Sequence, residues 1–551
     1  MSVLDAARAW RDQDPDAETR AELDALIGAA EAGDPGARHE IDERFASRLA
    51  FGTAGLRGAL GAGPNRMNRV LVAQAAAGLA AYLRARHEAR PLVVIGYDGR
   101  RNSAVFGRDS AEVLAGAGLR VVLLPRPLPT PVLAFAVRHL GADAGVMVTA
   151  SHNPPGDNGY KVYLGGADGG SQIVPPADAG IAAQIDRVAA GDIRDLPRSD
   201  RYELAPETVV EAYVAATAAV APAPPGASGL RWVYTALHGV GWETFAHVLD
   251  RAGYPPPVAV DDQLHPDAAF PTVAFPNPEE PGTLERAFAA ARAAAAELVI
   301  AHDPDADRLA VAIPDGSGGF RALTGNQLGL LLGWRAARLA AASGTPDASL
   351  ACSLVSSPAL AAVAARYGLG FHTTLTGFKW ISRTPGLVYG FEEALGYLVN
   401  PDTVRDKDGL SAAVAILGLV AEARGVGRSL ADLLDEFDRA FGVFASGQVS
   451  VRLADAAAVA ALMSALRARR PAALGGVPVD RVDDLLEGID ALPPGDVLRL
   501  WLRDGSRVLV RPSGTEPKLK LYLDVQAETA ETASARLAAL TAAARALLDS
   551  L

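Results

Sequence analysis

Three stretches of the chain repeat one pattern of positions: a near-continuous apolar strand, a polar turn, an amphipathic helix, a glycine and a second apolar strand. The first is PLVVIGYDGRRNS, a helix to about Gly118, then LRVVLLP. The second is RWVYTALHGVG, a helix to about Gly253, then PPVAV; the third is ASLACSLVSSP, a helix to about Gly368, then GFHTTLTG. Glycine just past a helix takes the left-handed cap that turns the chain back towards a sheet. Apolar strands alternating with helices of this length predict three similar α/β domains on mixed, mainly parallel sheets. After about residue 443 the pattern becomes QVSVRL, a helix, and the hairpin VLRLWLRDGSRVLVRP with Asp504-Gly505 at its turn. That predicts a C-terminal α+β domain on an antiparallel sheet. The turn-rich runs PRSDRYELAPETVV and IPDGSGG set the expected boundaries: 1–203 for N-terminal helices and domain 1, 204–318 for domain 2, 319–443 for domain 3 and 444–551 for domain 4.

Composition agrees with several packed cores. The chain has 551 residues, half of them hydrophobic and 21% charged, which at roughly 150 residues per domain means three to four domains. Its net charge is −12, with no basic block or stripe, which argues against nucleic acid or an anionic membrane as partner. The first twenty residues lack the apolar core of a secretory signal, and no uncharged apolar run reaches the ~18 residues of a membrane span. Cys352 is the single cysteine, so no internal disulfide forms, a cytoplasmic location is expected, and its setting in SLACSLVSS reads as core. Of 52 basic residues 47 are arginine; the five lysines are Lys161, Lys379, Lys407, Lys518 and Lys520. An ammonium is a compact charge with a tunable pKa and guanidinium is not, so lysines that survive an arginine bias mark positions where chemistry can demand one.

Ligands in such sheets bind beyond the carboxyl ends of the strands, and the polar loops after the second strands are the expected places. In the first copy DAGVMVTA runs into Ser151-His152-Asn153-Pro154-Pro155-Gly156-Asp157-Asn158-Gly159-Tyr160-Lys161. A serine straight off a buried strand, in a loop made rigid by Pro, Gly and Asn, would present an exposed hydroxyl suited to a nucleophile or phosphate acceptor. His152 and Lys161 beside it could move protons or steady an anion; the alternative is a polar loop in which Ser151 caps backbone groups. In the second copy ELVIAH delivers Asp303-Pro304-Asp305-Ala306-Asp307-Arg308. Carboxylates at alternate positions suit one hard divalent cation, with open coordination positions for a phosphorylated partner; a solvated acidic turn is the alternative. In the third copy Thr376-Gly377-Phe378-Lys379 and Gly390-Phe391-Glu392-Glu393-Ala394-Leu395-Gly396-Tyr397 suit the hydroxyls of a sugar. Arg405-Asp406-Lys407-Asp408-Gly409 opens a long helix whose N-terminus could meet an anion. Arg511-Pro512-Ser513-Gly514-Thr515-Glu516-Pro517-Lys518 in the last domain is a candidate phosphate nest or a decorated turn. Phe51-Gly52-Thr53-Ala54-Gly55-Leu56-Arg57-Gly58 is glycine-rich but lacks the lysine of a nucleotide-binding loop.

Read in order, FGTAGLRG, TASHNPPGDNGYKVY, DPDADR, GFEEALGY and RPSGTEPK resemble the successive signatures of the α-D-phosphohexomutase superfamily, the phosphoglucomutase and phosphomannomutase enzymes, from about residue 50 onward. TLTGFKW and FPNPEEPGTLERA look most like the bacterial branch related to phosphoglucomutase-2 and phosphopentomutase. The resemblance implies four domains around a central cleft. It implies Ser151 as carrier of the transferable phosphoryl group, and Mg²⁺ on Asp303, Asp305, Asp307 and Ser151 with Arg308 alongside. It further implies Arg57 and Lys161 in proton transfer or charge stabilisation, Glu392 on the sugar hydroxyls, Gly377, Lys379 and Lys407 in substrate loops, and Arg511, Ser513, Gly514 and Thr515 on the non-transferred phosphate.

The expected activity is interconversion of hexose 1-phosphate and hexose 6-phosphate through a phosphoserine and a hexose 1,6-bisphosphate, by a monomer or small homo-oligomer whose partner is a small phosphosugar. Many members have serine where this chain has Ala394, which opens phosphopentomutase as the alternative. A catalytically silent sugar-phosphate binder and a simple phosphatase are the rivals of other classes.

Overall fold

The computed structural model describes every residue except Met1, Thr53, Ala54, Glu88, Asp490, Ala491, residues 514–516 and Leu551. The chain forms two compact units, Met1–Ala322 with Gly396–Gly425, and Leu323–Leu395 with Val426–Leu551.

In the first unit, helices Val3–Gln13, Ala17–Glu31 and Pro35–Ala46 start on the side chains of Ser2, Asp16 and Asp34, which accept backbone N–H groups of the first turn. Their apolar residues Trp10, Leu23, Ile27 and Ile41 join the core of the first sheet. There strand Leu92–Tyr97 lies between Arg120–Leu123 and Ala144–Val148, all parallel, and Asp157–Leu164 adds on antiparallel. The second sheet repeats this order, with Trp232–Thr235 between Val258–Ala259 and Leu298–His302, and Leu309–Pro314 antiparallel beyond. In the second unit Ser349–Ser353 lies between Gly370–Thr374 and Leu387–Glu392, again parallel. The central strands are wholly buried or nearly so, which is why they read as unbroken apolar runs. Gly118, Gly253 and Gly368 carry φ of +90°, +83° and +67° at the expected helix ends. Cys352 is buried in its strand.

The last sheet is antiparallel throughout: Val443–Arg452, Lys518–Ala527, Arg507–Pro512, Leu498–Leu502 and Val477–Asp484 follow one another in space. Helices Ala456–Ala468 and Ala530–Asp549 close its core through Val459, Met463, Ala533 and Leu540. Leu519 and Leu521 are buried in that core, and Lys520 between them is partly exposed.

The turn-rich runs read as domain breaks lie inside or against sheets. Residues 315–319 turn a hairpin whose second strand, Phe320–Ala322, pairs with Leu309–Pro314, and Glu203–Leu204 pairs with Arg120–Leu123 at the edge of the first sheet. Helix Gly409–Gly425 belongs to the first unit, where Gly226 meets it so closely that a Cβ would lie 2.4 Å from the Ala421 carbonyl oxygen. That helix is buried on nearly every face; among the described residues no single helix is long and apolar enough to cross a membrane.

Candidate active site

In each copy the loop after the first strand touches the loop after the third. Arg100 donates to the carbonyl of Ser151, Val240 N–H to that of Pro304, and Ser356 Oγ to the Glu393 carboxylate. These are the points where the neighbours of the first strand diverge and a crevice opens. The serine, aspartate and glutamate loops therefore follow the third strands, Ala144–Val148, Leu298–His302 and Leu387–Glu392, not the second as expected, because the second strands lie on the other side of the first strand; the loop with Gly377 and Lys379 does follow a second strand, Gly370–Thr374.

Ser151 sits in the left-handed region at φ 51°, a conformation the surrounding contacts must hold. Its N–H donates to Thr149 Oγ1 at 2.8 Å. Arg100, buried beneath the loop, donates to the carbonyls of Ser151 at 2.7 Å, Asn153 at 2.5 Å, Pro154 at 2.9 Å and Asp157 at 3.2 Å. The serine hydroxyl is not exposed as the loop composition suggested. Ser151 is 5% exposed, and its Oγ donates to Asp303 Oδ2 at 2.9 Å while lying 3.1 Å from His152 Nδ1. Burial, with Arg308 and Arg57 adding to it, pushes His152 well below its usual pKa, towards the neutral imidazole.

Asp303, Asp305 and Asp307 are all buried, and each offers a carboxylate oxygen within 4.8 Å of the others. Lys161 Nζ lies 2.7 Å from Asp305 and 2.8 Å from Asp307. Lys407 Nζ stands 3.4 Å from Asp307, and Arg308 Nε 3.9 Å from both Asp303 and Asp307. Thr130 donates its hydroxyl to Asp305 at 2.6 Å. Burial, then the adjacent Asp305 and Asp307, raise the Asp303 pKa far above the carboxylate range. Asp307 is buried too, but Lys161, Lys407 and Arg308 outweigh burial and hold it below that range. For Lys161 burial works against the charge, and Asp305 and Asp307 overcome it, so the ammonium stays protonated. Asp305 Oδ1 and Asp307 Oδ1 are buried and accept no hydrogen bond from the described residues. Buried carboxylate oxygens without donors, beside a carboxyl pushed towards its neutral form, fit a hard divalent cation.

The remaining candidates fall as follows. Lys407, expected as a substrate ligand, also reaches this cluster because its segment presses on the aspartate loop: a Cβ on Gly409 would lie 2.4 Å from the Arg308 carbonyl oxygen. Arg57 is exposed on strand Gly55–Ala59, paired opposite Gly159. In the second unit Glu392 ends its strand, and Glu393 beside it accepts from Ser353 and Ser356 at 3.2 and 3.0 Å. Gly377 precedes the short helix Phe378–Ile381, on which Lys379 is largely buried with its ammonium 5.8 Å over the Trp380 ring. Arg511 lies on Arg507–Pro512, and Ser513 N–H donates to the Lys518 carbonyl at 2.8 Å. Gly514 and Thr515 lie outside the described residues. Sequence reasoning missed Arg100, Thr130 and Asp406; for Arg100 the available signal was the polar turn YDGRRNS at the carboxyl end of a central strand.

A serine hydroxyl on a buried acidic triad, ringed by lysine and arginine, is the equipment of a metal-dependent phosphotransferase. The chain belongs to the phosphoglucomutase/phosphomannomutase family, whose α/β/α domains I, II and III match residues 48–191, 211–317 and 324–440 and whose C-terminal domain matches 449–541. It is thus an isomerase-type phosphotransferase. It is 54% identical over 472 residues to a probable phosphomannomutase of Haemophilus influenzae, covering 86% of this chain and 96% of that protein. It is 34% identical to the phosphopentomutase of Homo sapiens, over 89% of this chain and 87% of the relative. A crystal structure of a putative phosphomannomutase from Thermus thermophilus superposes with a TM-score of 0.70 at 26% identity, covering 91% of this chain and 99% of that one.

Proposed function

We propose that this chain interconverts hexose 1-phosphate and hexose 6-phosphate, of glucose, mannose or both, with Ser151 as phosphoryl carrier and a hexose 1,6-bisphosphate as intermediate and activator. The observation that supports this most is the Ser151 hydroxyl at 2.9 Å from Asp303, in a triad whose other two carboxylates each keep a buried oxygen without a donor. In the forward transfer the bond from phosphorus to Ser151 Oγ breaks as a bond to the sugar hydroxyl oxygen forms, and the proton that hydroxyl loses ends on Ser151 Oγ. In the return transfer Ser151 Oγ attacks the other phosphate of the reoriented bisphosphate. Its proton leaves by way of His152 Nδ1, within hydrogen-bond reach, and ends on the sugar oxygen released from phosphorus. Mg²⁺ held by Asp303, Asp305 and Asp307 with a phosphoryl oxygen of Ser151 would neutralise charge on the transferring group.

Lys161, held charged by two carboxylates, fits charge stabilisation better than proton transfer. Arg308 and Arg57 would steady the phosphoryl oxygens, and Arg100 fixes the position from which Ser151 reacts. Glu392, Gly377 and Lys379 are our candidates for the sugar, with Arg511, Ser513, Gly514 and Thr515 for the phosphate that is not transferred. The substrate is a small phosphosugar.

A panel of glucose 1-phosphate, mannose 1-phosphate and ribose 1-phosphate, with Ser151→Ala as the blank, tests the reading. Hexose turnover is expected. Ala394 and the likeness to a phosphopentomutase favour a second reading, phosphopentomutase, and a clear ribose preference would establish it instead.

A further inference from the structure

We propose that Asp406 is a positioning residue that, with Tyr163 and Gln172, aims Lys407 at the metal loop and so tunes the affinity of that loop for its divalent cation. The inference rests on the reading of Asp303, Asp305 and Asp307 as the cation site. Strand Asp157–Leu164 carries Lys161 and Tyr163 two residues apart, hence on one face. Lys161 goes to Asp305 and Asp307; Tyr163 donates its hydroxyl to Asp406 Oδ2 at 2.8 Å. Gln172 pairs directly across from Tyr163, and its Nε2 donates to the same oxygen at 2.8 Å. The other carboxylate oxygen accepts the Lys407 N–H at 2.8 Å and faces Lys407 Nζ at 3.5 Å. Asp406 is fully buried, both its carboxyl oxygens meet donors, and two of those donors, Tyr163 and Gln172, belong to the first sheet. Arg138 secures the same segment upstream, donating to the carbonyls of Gly169 at 2.7 Å and Asp402 at 3.0 Å.

The consequence is electrostatic. An ammonium 3.4 Å from Asp307 competes with a metal for that carboxylate, and the competition depends on where the ammonium is held. Loosening the support should therefore act on metal affinity through Lys407 alone.

Titration calorimetry with Mg²⁺ on the full chain tests this in four proteins: parent, K407M, the double variant Y163F/Q172L, and all three substitutions together. The double variant leaves every formal charge in place. We expect K407M to bind Mg²⁺ about three- to tenfold more tightly, Y163F/Q172L to tighten it about two- to fivefold, and the combination to match K407M. Equal shifts from Y163F/Q172L with and without Lys407 would show that its effect does not run through the lysine and overturn the inference. So would unchanged binding in Y163F/Q172L or in K407M. Absence of Mg²⁺ binding in the parent would instead overturn the cation reading itself, and this inference with it. Should Y163F/Q172L fail to fold, Y163F alone carries the same comparison with a smaller expected shift.

Discussion

The serine loop of the first sheet and the aspartate loop of the second occupy the same place in the same topology, yet they are secured differently. The first rests on one side chain, Arg100, whose guanidinium gathers four carbonyls from Ser151 to Asp157. The second is tethered by backbone, Val240 N–H on Pro304, and its charge is balanced by Lys161 and Lys407 arriving from other segments and by Arg308 at the loop's own end. A loop that must place a neutral hydroxyl needs positional restraint, and one that gathers three carboxylates needs neutralisation. The two loops should therefore fail in different ways.

The largest effect is expected from the second loop. Asp303→Asn removes the acceptor of the Ser151 hydroxyl and one carboxylate of the triad, and kcat should fall about 10³-fold with weakened Mg²⁺ binding. Thermal stability without metal should hold or rise, since a carboxyl that burial and its neighbours push towards its neutral form is gone. The first loop should behave oppositely. Arg100→Met leaves Asp98 buried without its cation and takes one donor from each of four loop carbonyls, destabilising the fold by about 3 to 5 kcal/mol. Its kcat should fall about 10²-fold through misplacement of Ser151 while Mg²⁺ affinity changes little. If both variants lost metal binding and stability together, the distinction between the loops would fail.

A smaller effect separates the residues that lead into them, Ala150 in one and His302 in the other. His302 accepts from Tyr234 at Nδ1 and donates from Nε2 to the Gly409 carbonyl, and burial lowers its pKa from 6.5 to about 4. Unfolded chain takes up this proton below pH 6.5 and folded chain does not, so stability is lost as pH falls from 6.5 towards 4, by about 3 kcal/mol from this residue. Melting curves across that range should show the loss in the parent and a shallower slope in His302→Gln; equal slopes would remove His302 from the account.

How much of this was legible in the sequence depended on what each residue answers to. Asp303 to Asp307 and the serine loop announce themselves because their spacing and turn residues are local, and the repeated apolar strands gave away the sheets that carry them. The role of Arg100 was hard to read beyond its polar turn, because its partners lie more than fifty positions away and are carbonyls, which any residue supplies. The Ser151 hydroxyl was expected in solvent; its direction follows from a left-handed backbone and from Asp303, neither of which composition encodes. Lys407 was read with the substrate loops, and only the close approach of Gly409 to Arg308 places it on the metal loop. Helix Gly409–Gly425 packs with the first unit although it lies within the stretch matched by the family's domain III; an all-round apolar helix has no polar face that would show in the sequence which elements it packs on.

The central claim is that Ser151 carries the phosphoryl group, and intact-protein mass spectrometry tests it most directly. After incubation with glucose 1,6-bisphosphate and Mg²⁺ the parent protein should gain one phosphoryl group, mapped to Ser151, and lose it to added hexose monophosphate, while Ser151→Ala gains none. No adduct in the parent, or an equal adduct in Ser151→Ala, would contradict the account.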